Sequence, residues 1–507
     1  MFYSGRIEPV KFFHVAVVFA AGAAVIFGQT SEWAKVGSGG RLQYRTTERG
    51  DRIMDFSYAG YGGGGVAIPN VPTVRTLKPE AGDNSARIQA AIDAASAGGG
   101  AVVLEPGIYQ VERTLTIGAS GVALRGSGPG EGGTTIRLTG KPHRFLTIRG
   151  TGTWQAAGNS MAITDAYVAS GADSFHVNDA ARFHVGDAVL VRRPVTEAWV
   201  HFMGMDTLVR DGKPQTWIKA GTFIRTDRTI RAIDTNRITL DVPLSDSIDS
   251  KYLNPPGATL VQYTFPGRIS KAGVEHLRIE APVLDVPISQ GQYTAFQIEA
   301  AQDAWARDIA IQETQNGIVI GSAAKRVTLD QVRIVHSASS TGSAAPADFS
   351  LSGTQILVSR CSVKGEGTWP VVTQATVTGP IVVLDFTADE RGVAPHQRWA
   401  TGLLVDRLTF TGSTERAPGI AFSNRRTAGS GHGWDIGWAV AWNVRSAFLL
   451  VEQPPGAINW CIGCAGTFVA QAQGHGPAPQ EISSLYLAQL RERVGQAGLR
   501  AIGYTSR

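Results

Sequence analysis

Apolar positions first fall into a helical pattern near residue 85. Ile88, Ala91, Ile92 and Ala95 recur on one face, behind Asp83, Asn84 and Ser85, whose short polar side chains suit a helix start. Gly98-Gly99-Gly100 ends the pattern. Strand-like runs follow at 101–104 (Ala-Val-Val-Leu) and 108–111 (Ile-Tyr-Gln-Val), joined by the turn Glu105-Pro106-Gly107. From Val274 onward short apolar or alternating strands return, ending at Ile279, Ile311, Ile334, Val363, Leu384, Phe410 and Val444. They advance by roughly 20 to 35 residues each time, which predicts strands that stack while their loops vary in length. No recurring signature marks a propeller or a leucine-rich repeat. Serine-led helical periodicity at 483–494 predicts a terminal helix within 480–507 that packs on the side or lower end of the stack.

Residues 160–265 break the repeat. Strand pairs are predicted near 185–194 and 237–241, with Glu197, Trp199, His201, Met203, Met205 and Trp217 between them. This stretch reads as an inserted β subdomain or a set of long loops. It would either wall a substrate groove or serve packing and dimerisation.

The order of helix, three glycines, strand, Pro-Gly and strand resembles the N-terminal cap of the pectate-lyase-like superfamily of right-handed parallel β-helix proteins. The residues that carry the likeness are Ile-Gln-Ala-Ala-Ile-Asp-Ala-Ala at 88–95 and Val-Val-Leu-Glu-Pro-Gly-Ile-Tyr at 102–109. Where that superfamily opens with Asp-Phe-Gly-Ala, this chain has Asp55-Phe56-Ser57-Tyr58, so the resemblance speaks for fold rather than subfamily. It implies an all-β, right-handed parallel β-helix over about residues 50–474, with the insertion at 160–265 and the helix and tail at 480–507. The amphipathic helix would cover the open apolar end of the stack. The superfamily includes polysaccharide lyases and related glycan-active enzymes.

Composition narrows the choice. The 60 Gly and 18% charged residues suit many tight turns between short strands, and the net charge of +5 is spread along the chain. No Lys/Arg run marks a nucleic-acid surface. Residues 1–30 look like a targeting segment: Arg6 and Lys11 precede an apolar run from Phe12 to Phe27 interrupted by His14. That run is shorter than the roughly 20 residues of a membrane-spanning helix. A signal peptide, or alternatively a retained N-terminal anchor, predicts a secreted or periplasmic protein whose mature form is soluble. Cys461 and Cys464 could close a small disulfide, but buried thiols in a β-rich core are the favoured expectation, with Cys361 free. One such pair is too few for zinc.

Candidate chemistry concentrates between His396 and Asn443. His396, Arg398, Trp399, Asn424, Arg425, Arg426, His432 and Trp434 crowd there among glycines, a mixture suited to a polar, aromatic-lined groove. Stacked coils would bring these distant positions together. The matching partner is an acidic polysaccharide, and the matching reaction is β-elimination. A cation must neutralise the uronate carboxylate while a base removes the adjacent proton and an acid serves the leaving oxygen. His396, His432 and Arg398 are the expected catalytic residues. Arg425, Arg426, Asn424, Trp399 and Trp434 are the expected substrate contacts. Trp438 and Trp442, in an apolar run, read as core. No cofactor is required; calcium is an option that the resemblance leaves open, with Asp385, Asp389 and Glu390 nearest. The alternatives are hydrolysis of the polygalacturonase-like β-helix type by two carboxylates from Asp385, Asp389, Glu390, Asp406 and Asp435, and a non-catalytic glycan-binding β-helix.

Overall fold

Val102, Leu124, Val274, Ala306, Leu329, Val358, Val383, Val405, Ala441 and Cys461 are successive partners in parallel ladders, one per coil, all buried. Such a column exists only where a chain winds repeatedly through the same register, and the computed structural model shows a parallel β-helix. It describes residues 31–505 apart from Asp285, Ile288, 338–346 and 366–368. The stretch 1–30, read as a signal peptide or anchor, and the last two residues of the C-terminal segment lie outside the described residues. Among the described residues no helix is long and apolar enough to cross a membrane.

Each coil has three faces. The first carries the column above. The second begins with Gly107–Val111 and Thr134–Leu138 and ends with Arg445–Val451 and Ala465–Phe468. The third contains Leu115–Ile117, Arg144–Arg149, Thr294–Glu299, Ile318–Ile320, Ala347–Leu351 and Trp369–Thr373. Val393 and Ile420 continue it by bridges. The helix Ser85–Ala95 buries Ile88, Ala91, Ile92 and Ala95 in the same core as the first coil's strands, while Asp83 accepts the Ser85 N–H at 2.9 Å.

A single residue makes the bend from first to second face in coil after coil. His276, Asp308, Gln331, Arg360, Asp385, Arg407 and Asn443 hold φ between 51° and 61°. Left-handed conformations cost a side-chain-bearing residue about 1 kcal/mol or more. Lateral pairs offset part of that: His276 with Asp308 at 2.9 Å, Arg360 with Asp330 at 2.7 Å, and Arg407 with Asp385 at 2.6 Å.

The chain leaves the stack after Arg149 and returns at Ile269, where Thr151 N donates to Gly267 O at 2.9 Å and ties the two crossings together. Between them lies an antiparallel sheet ordered Gln155–Ala156, Thr259–Thr264, Ala188–Pro194, Phe223–Asp234, Arg237–Leu240 and Ser174–His176. One of its faces joins a second core with Trp199, Trp217, Trp399 and Trp434. Arg228 pins this seam. Its fully buried guanidinium donates to the carbonyls of Asp227 (2.9 Å), Val242 (3.0 Å), Pro243 (2.9 Å) and, across in the β-helix, Gly379 (2.7 Å). Burial lowers its pKa to about 10, so it stays charged at neutral pH.

The outside of the first face is covered too. Phe56, Leu485, Tyr486 and Leu490 share the second core with Leu357, Val382, Leu384, Leu404 and Val440, so the helix Leu485–Ala501 lies along the side of the stack. Ser484 caps that helix through the Leu487 N–H at 3.2 Å, and Asp406 beneath it accepts from Ser484 Oγ (2.7 Å) and Tyr486 N (2.9 Å). The favoured expectation of buried thiols is corrected for one pair. Cys461 and Cys464 form a disulfide across the first-to-second bend of the last coil, whereas Cys361 is a buried free thiol.

Arg228→Met leaves several buried carbonyls without donors. It is expected to lower stability by roughly 3 kcal/mol or more, measured by urea denaturation of the full chain; an unchanged midpoint would mean that the seam does not rest on this guanidinium.

Candidate functional site

The turns from third face back to first build the site. Val371, Val393 and Ile420 are aligned by bridges. Three residues beyond each stand Gln374, His396 and Ser423, so equal offsets in successive coils place polar groups side by side. Gln374 Nε2 donates to Ser350 Oγ at 2.8 Å, which turns its carbonyl oxygen toward His396 Nδ1, 3.1 Å away. His396 therefore carries its proton on Nδ1 and offers the Nε2 lone pair outward.

His432 arrives on a hairpin. Asn424 and Trp434 form an antiparallel bridge, with Arg425 N donating to Gly433 O (2.8 Å) and Gly433 N to Arg426 O (2.9 Å). The loop folds so tightly that glycine is required at two places. Gly429 (φ 58°) lies against the His432 ring, and a Cβ on Gly433 (φ 55°) would fall 2.4 Å from the Trp217 ring. The insertion holds this hairpin from above: Arg210 Nη1 donates to Gly429 O (2.7 Å), Trp434 Nε1 to Met203 O (3.2 Å) and Trp217 Nε1 to Trp434 O (3.1 Å). The imidazoles of His396 and His432 meet edge to face, centroids 4.8 Å apart at 87°.

Two guanidiniums frame the pair. Arg425 Nη1 donates to His396 O at 2.5 Å, and Arg398 donates to Gln397 Oε1 (2.6 Å), Ser430 O (2.9 Å) and Ser430 Oγ (2.7 Å). None of these acceptors is a carboxylate. Burial, with the positive charge of Arg425 and Arg398 beside it, lowers the His396 pKa to about 4. Burial, then Arg425, His396 and Arg398, does the same to His432. Both rings are thus neutral at ordinary pH. Asp435, close to Arg425, is fully buried, accepts from Ser423 N and Oγ at 2.9 Å each, and is pushed well above 3.8 by that burial. The site combines two guanidiniums bonded to neutral acceptors with two proton acceptors, which suits an anionic substrate.

The structure brings His396, His432, Arg398 and Arg425 together and gives the other candidates different surroundings. Trp399 is 2% exposed and Trp434 9% exposed, and neither offers an open face to a sugar ring. Trp399 packs edge-on against Trp199 and Trp217 and donates to Asp246 Oδ2 at 2.8 Å. The expectation of stacking platforms is corrected: both rings belong to the seam. Asn424 turns its side chain back to the Arg426 N–H (2.9 Å), holding the hairpin, while Arg426 is exposed. Of the carboxylates weighed for hydrolysis, Asp406 and Asp435 are fully buried, Asp385 is bound by Arg407 and by Tyr504 Oη (2.8 Å), and Asp389 accepts from Gly365 N (3.0 Å). Glu390 is exposed. Among the described residues no group of three or more His, Cys, Asp or Glu side chains could hold a metal ion. Gln374 and Ser350 escaped sequence reasoning; the equal offset from aligned apolar positions is the signal that would have found them.

No protein-family model and no curated protein matches the chain. Among solved structures it is similar to the Gp54 tailspike of Acinetobacter baumannii bacteriophage AP22 in complex with A. baumannii capsular saccharide, at 8% identity over 79% of this chain and 67% of that one, with a TM-score of 0.35. It is also similar to the A-module of Azotobacter vinelandii mannuronan C-5 epimerase AlgE4, at 14% identity over 80% and 95%, TM-score 0.33. A third is a tailspike protein mutant of E. coli bacteriophage HK620 in complex with pentasaccharide, at 11% identity over 89% of this chain and 59% of that one, TM-score 0.37.

Histidine titration by NMR is expected to give midpoints near pH 4 for His396 and His432, and Arg425→Gln should move both toward 6.5. Because the folded rings resist protonation, their contribution to stability is intact above the unfolded value of 6.5 and is lost as pH falls toward about 4. Midpoints near 6.5 in the unaltered protein would contradict the site's electrostatics.

Proposed function

We propose that this chain cleaves an acidic, uronate-containing polysaccharide by β-elimination, as an enzyme acting outside the cytoplasm. The observation that carries the reading is the contact between two neutral imidazoles flanked by guanidiniums that, among the described residues, form no ion pair with a carboxylate.

In this reading the uronate carboxylate meets Arg398 and Arg425. Their charge stabilises the negative charge that spreads into the carboxylate when the adjacent C–H bond breaks. His396 Nε2 takes that proton, and the Gln374 oxygen on Nδ1 stabilises the imidazolium that results. The C–H electron pair becomes the carbon–carbon double bond as the glycosidic C–O bond breaks. The departing oxygen receives the proton now held as imidazolium, passed on through the adjoining His432 ring, so that both rings end neutral. Arg426, exposed beside Asn424, extends the positive surface along the polysaccharide.

The test is incubation of the full chain with a panel of polyuronates, followed by ultraviolet absorbance of the conjugated product. Absorbance is expected to rise on at least one of them, and His396→Ala or His432→Ala is expected to cut turnover by roughly 10²- to 10⁴-fold. Near-wild-type turnover in both variants would refute the assignment. New reducing ends without absorbance would turn the reading to hydrolysis, and binding without either product to a glycan-binding protein.

A further inference from the structure

The insertion presents a second polar wall to the same turns. A cavity of about 190 Å³ opens between Trp154, Phe223 and Arg225 of the insertion and Ser352, Ala375 and Thr376 of the β-helix. Its floor lies one and two coils below the coil of His396, and at about 4.8 Å per coil the two places are roughly 10 Å apart along one edge. Ala375 and Thr376 directly follow Gln374, and Thr376 N donates to Arg398 O at 2.8 Å, so the cavity lies beside the site already described.

The charge of this wall is unusual for a sheet. Arg192 and Arg225 are directly opposed in the antiparallel pair of Ala188–Pro194 and Phe223–Asp234, so their side chains leave the same face next to each other. Like charges so placed destabilise a sheet unless something neutralises them. Among the described residues neither forms an ion pair; Arg192 lies over the Phe223 ring at 4.2 Å. Asp227, the acid next in line on that face, is already taken by Lys325 (2.8 Å), Arg268 (3.1 Å) and Tyr263 Oη (2.8 Å). Thr259, opposite Arg192 on the other side, has a buried hydroxyl without a partner among the described residues. Two guanidiniums without an ion-pair partner among the described residues, an indole and a hydroxyl-rich floor form the set that recognises a sugar ring bearing a carboxylate.

We propose that this wall is a second saccharide subsite, in which Arg192 and Arg225 bind the carboxylate of a uronate unit along the chain from the one held at His396. The proposal rests on the reading of the His396 site as a polyuronate site. It gives the insertion a task in recognition, with the arginines selecting chains that carry negative charge beyond the reacting unit.

Calorimetry with galacturonate, mannuronate and glucuronate oligomers of increasing length, on the full chain and on Arg192→Gln/Arg225→Gln, tests it. Affinity for the matching oligomer is expected to step up about tenfold once the chain is long enough to reach both places. The double variant should lose that step and keep its affinity for the shortest ligands. A step that survives in the variant, or no step in the unaltered protein, overturns the subsite. An equal step with dextran sulfate would overturn the carboxylate assignment. Failure of the elimination reading looks different: the arginine-dependent step remains while no oligomer gains ultraviolet absorbance.

Discussion

The Arg228 guanidinium is the constraint on which the rest of the site depends. A parallel β-helix can hold an aperiodic subdomain in place only if the backbone groups freed at the junction find partners. Arg228 supplies donors to three carbonyls of the insertion and one of the β-helix from a position with no access to water. With the junction fixed, Trp199 and Trp217 pack against Trp399, and the hairpin bearing His432 is held between Arg210 on one side and Arg398 on the other. The imidazole contact is therefore the far end of a packing chain that begins at a buried cation.

Burial also sets the electrostatics. The same packing that lowers the proton affinity of His396 and His432 pushes Asp435 well above its usual value, held in a fully buried pocket against Ser423. Asp406, under the C-terminal helix, is pushed up to about 7 for the same reason. Arg398 and Arg425 for their part donate to Gln397, Ser430 and the His396 carbonyl, none of them a carboxylate. Their concentration along one edge of this stack is the observation behind the carboxylate recognition proposed above.

Much of this was legible before any coordinates. The helix of Ile88, Ala91, Ile92 and Ala95 and the recurrence of short strands from Val274 reflect local periodicity, which sequence records directly. The crowding of His396, Arg398, Arg425 and His432 within one stretch marked the place where they meet. Other features depend on contacts between remote segments. Trp399 and Trp434 sit among polar neighbours in sequence, yet Trp199, Met203 and Trp217 of the distant insertion cover them. Gln374 has no unusual neighbours and gains its role only through coil register. Several left-handed bends were equally hidden, because Gln331, Arg360 and Arg407 are residue types seldom chosen for that conformation.

The hydrogen bond from Thr151 to Gly267 has a wider implication for how such a molecule can diversify. Both ends of the insertion stand at one spot, so the stack beneath is continuous whether the excursion is long or short. Lineages could exchange the outer parts of the excursion without shifting a single coil, so long as the contacts of Arg210, Met203 and Trp217 that hold the His432 hairpin were kept. The stack and the excursion would then evolve as separable parts, joined at one socket.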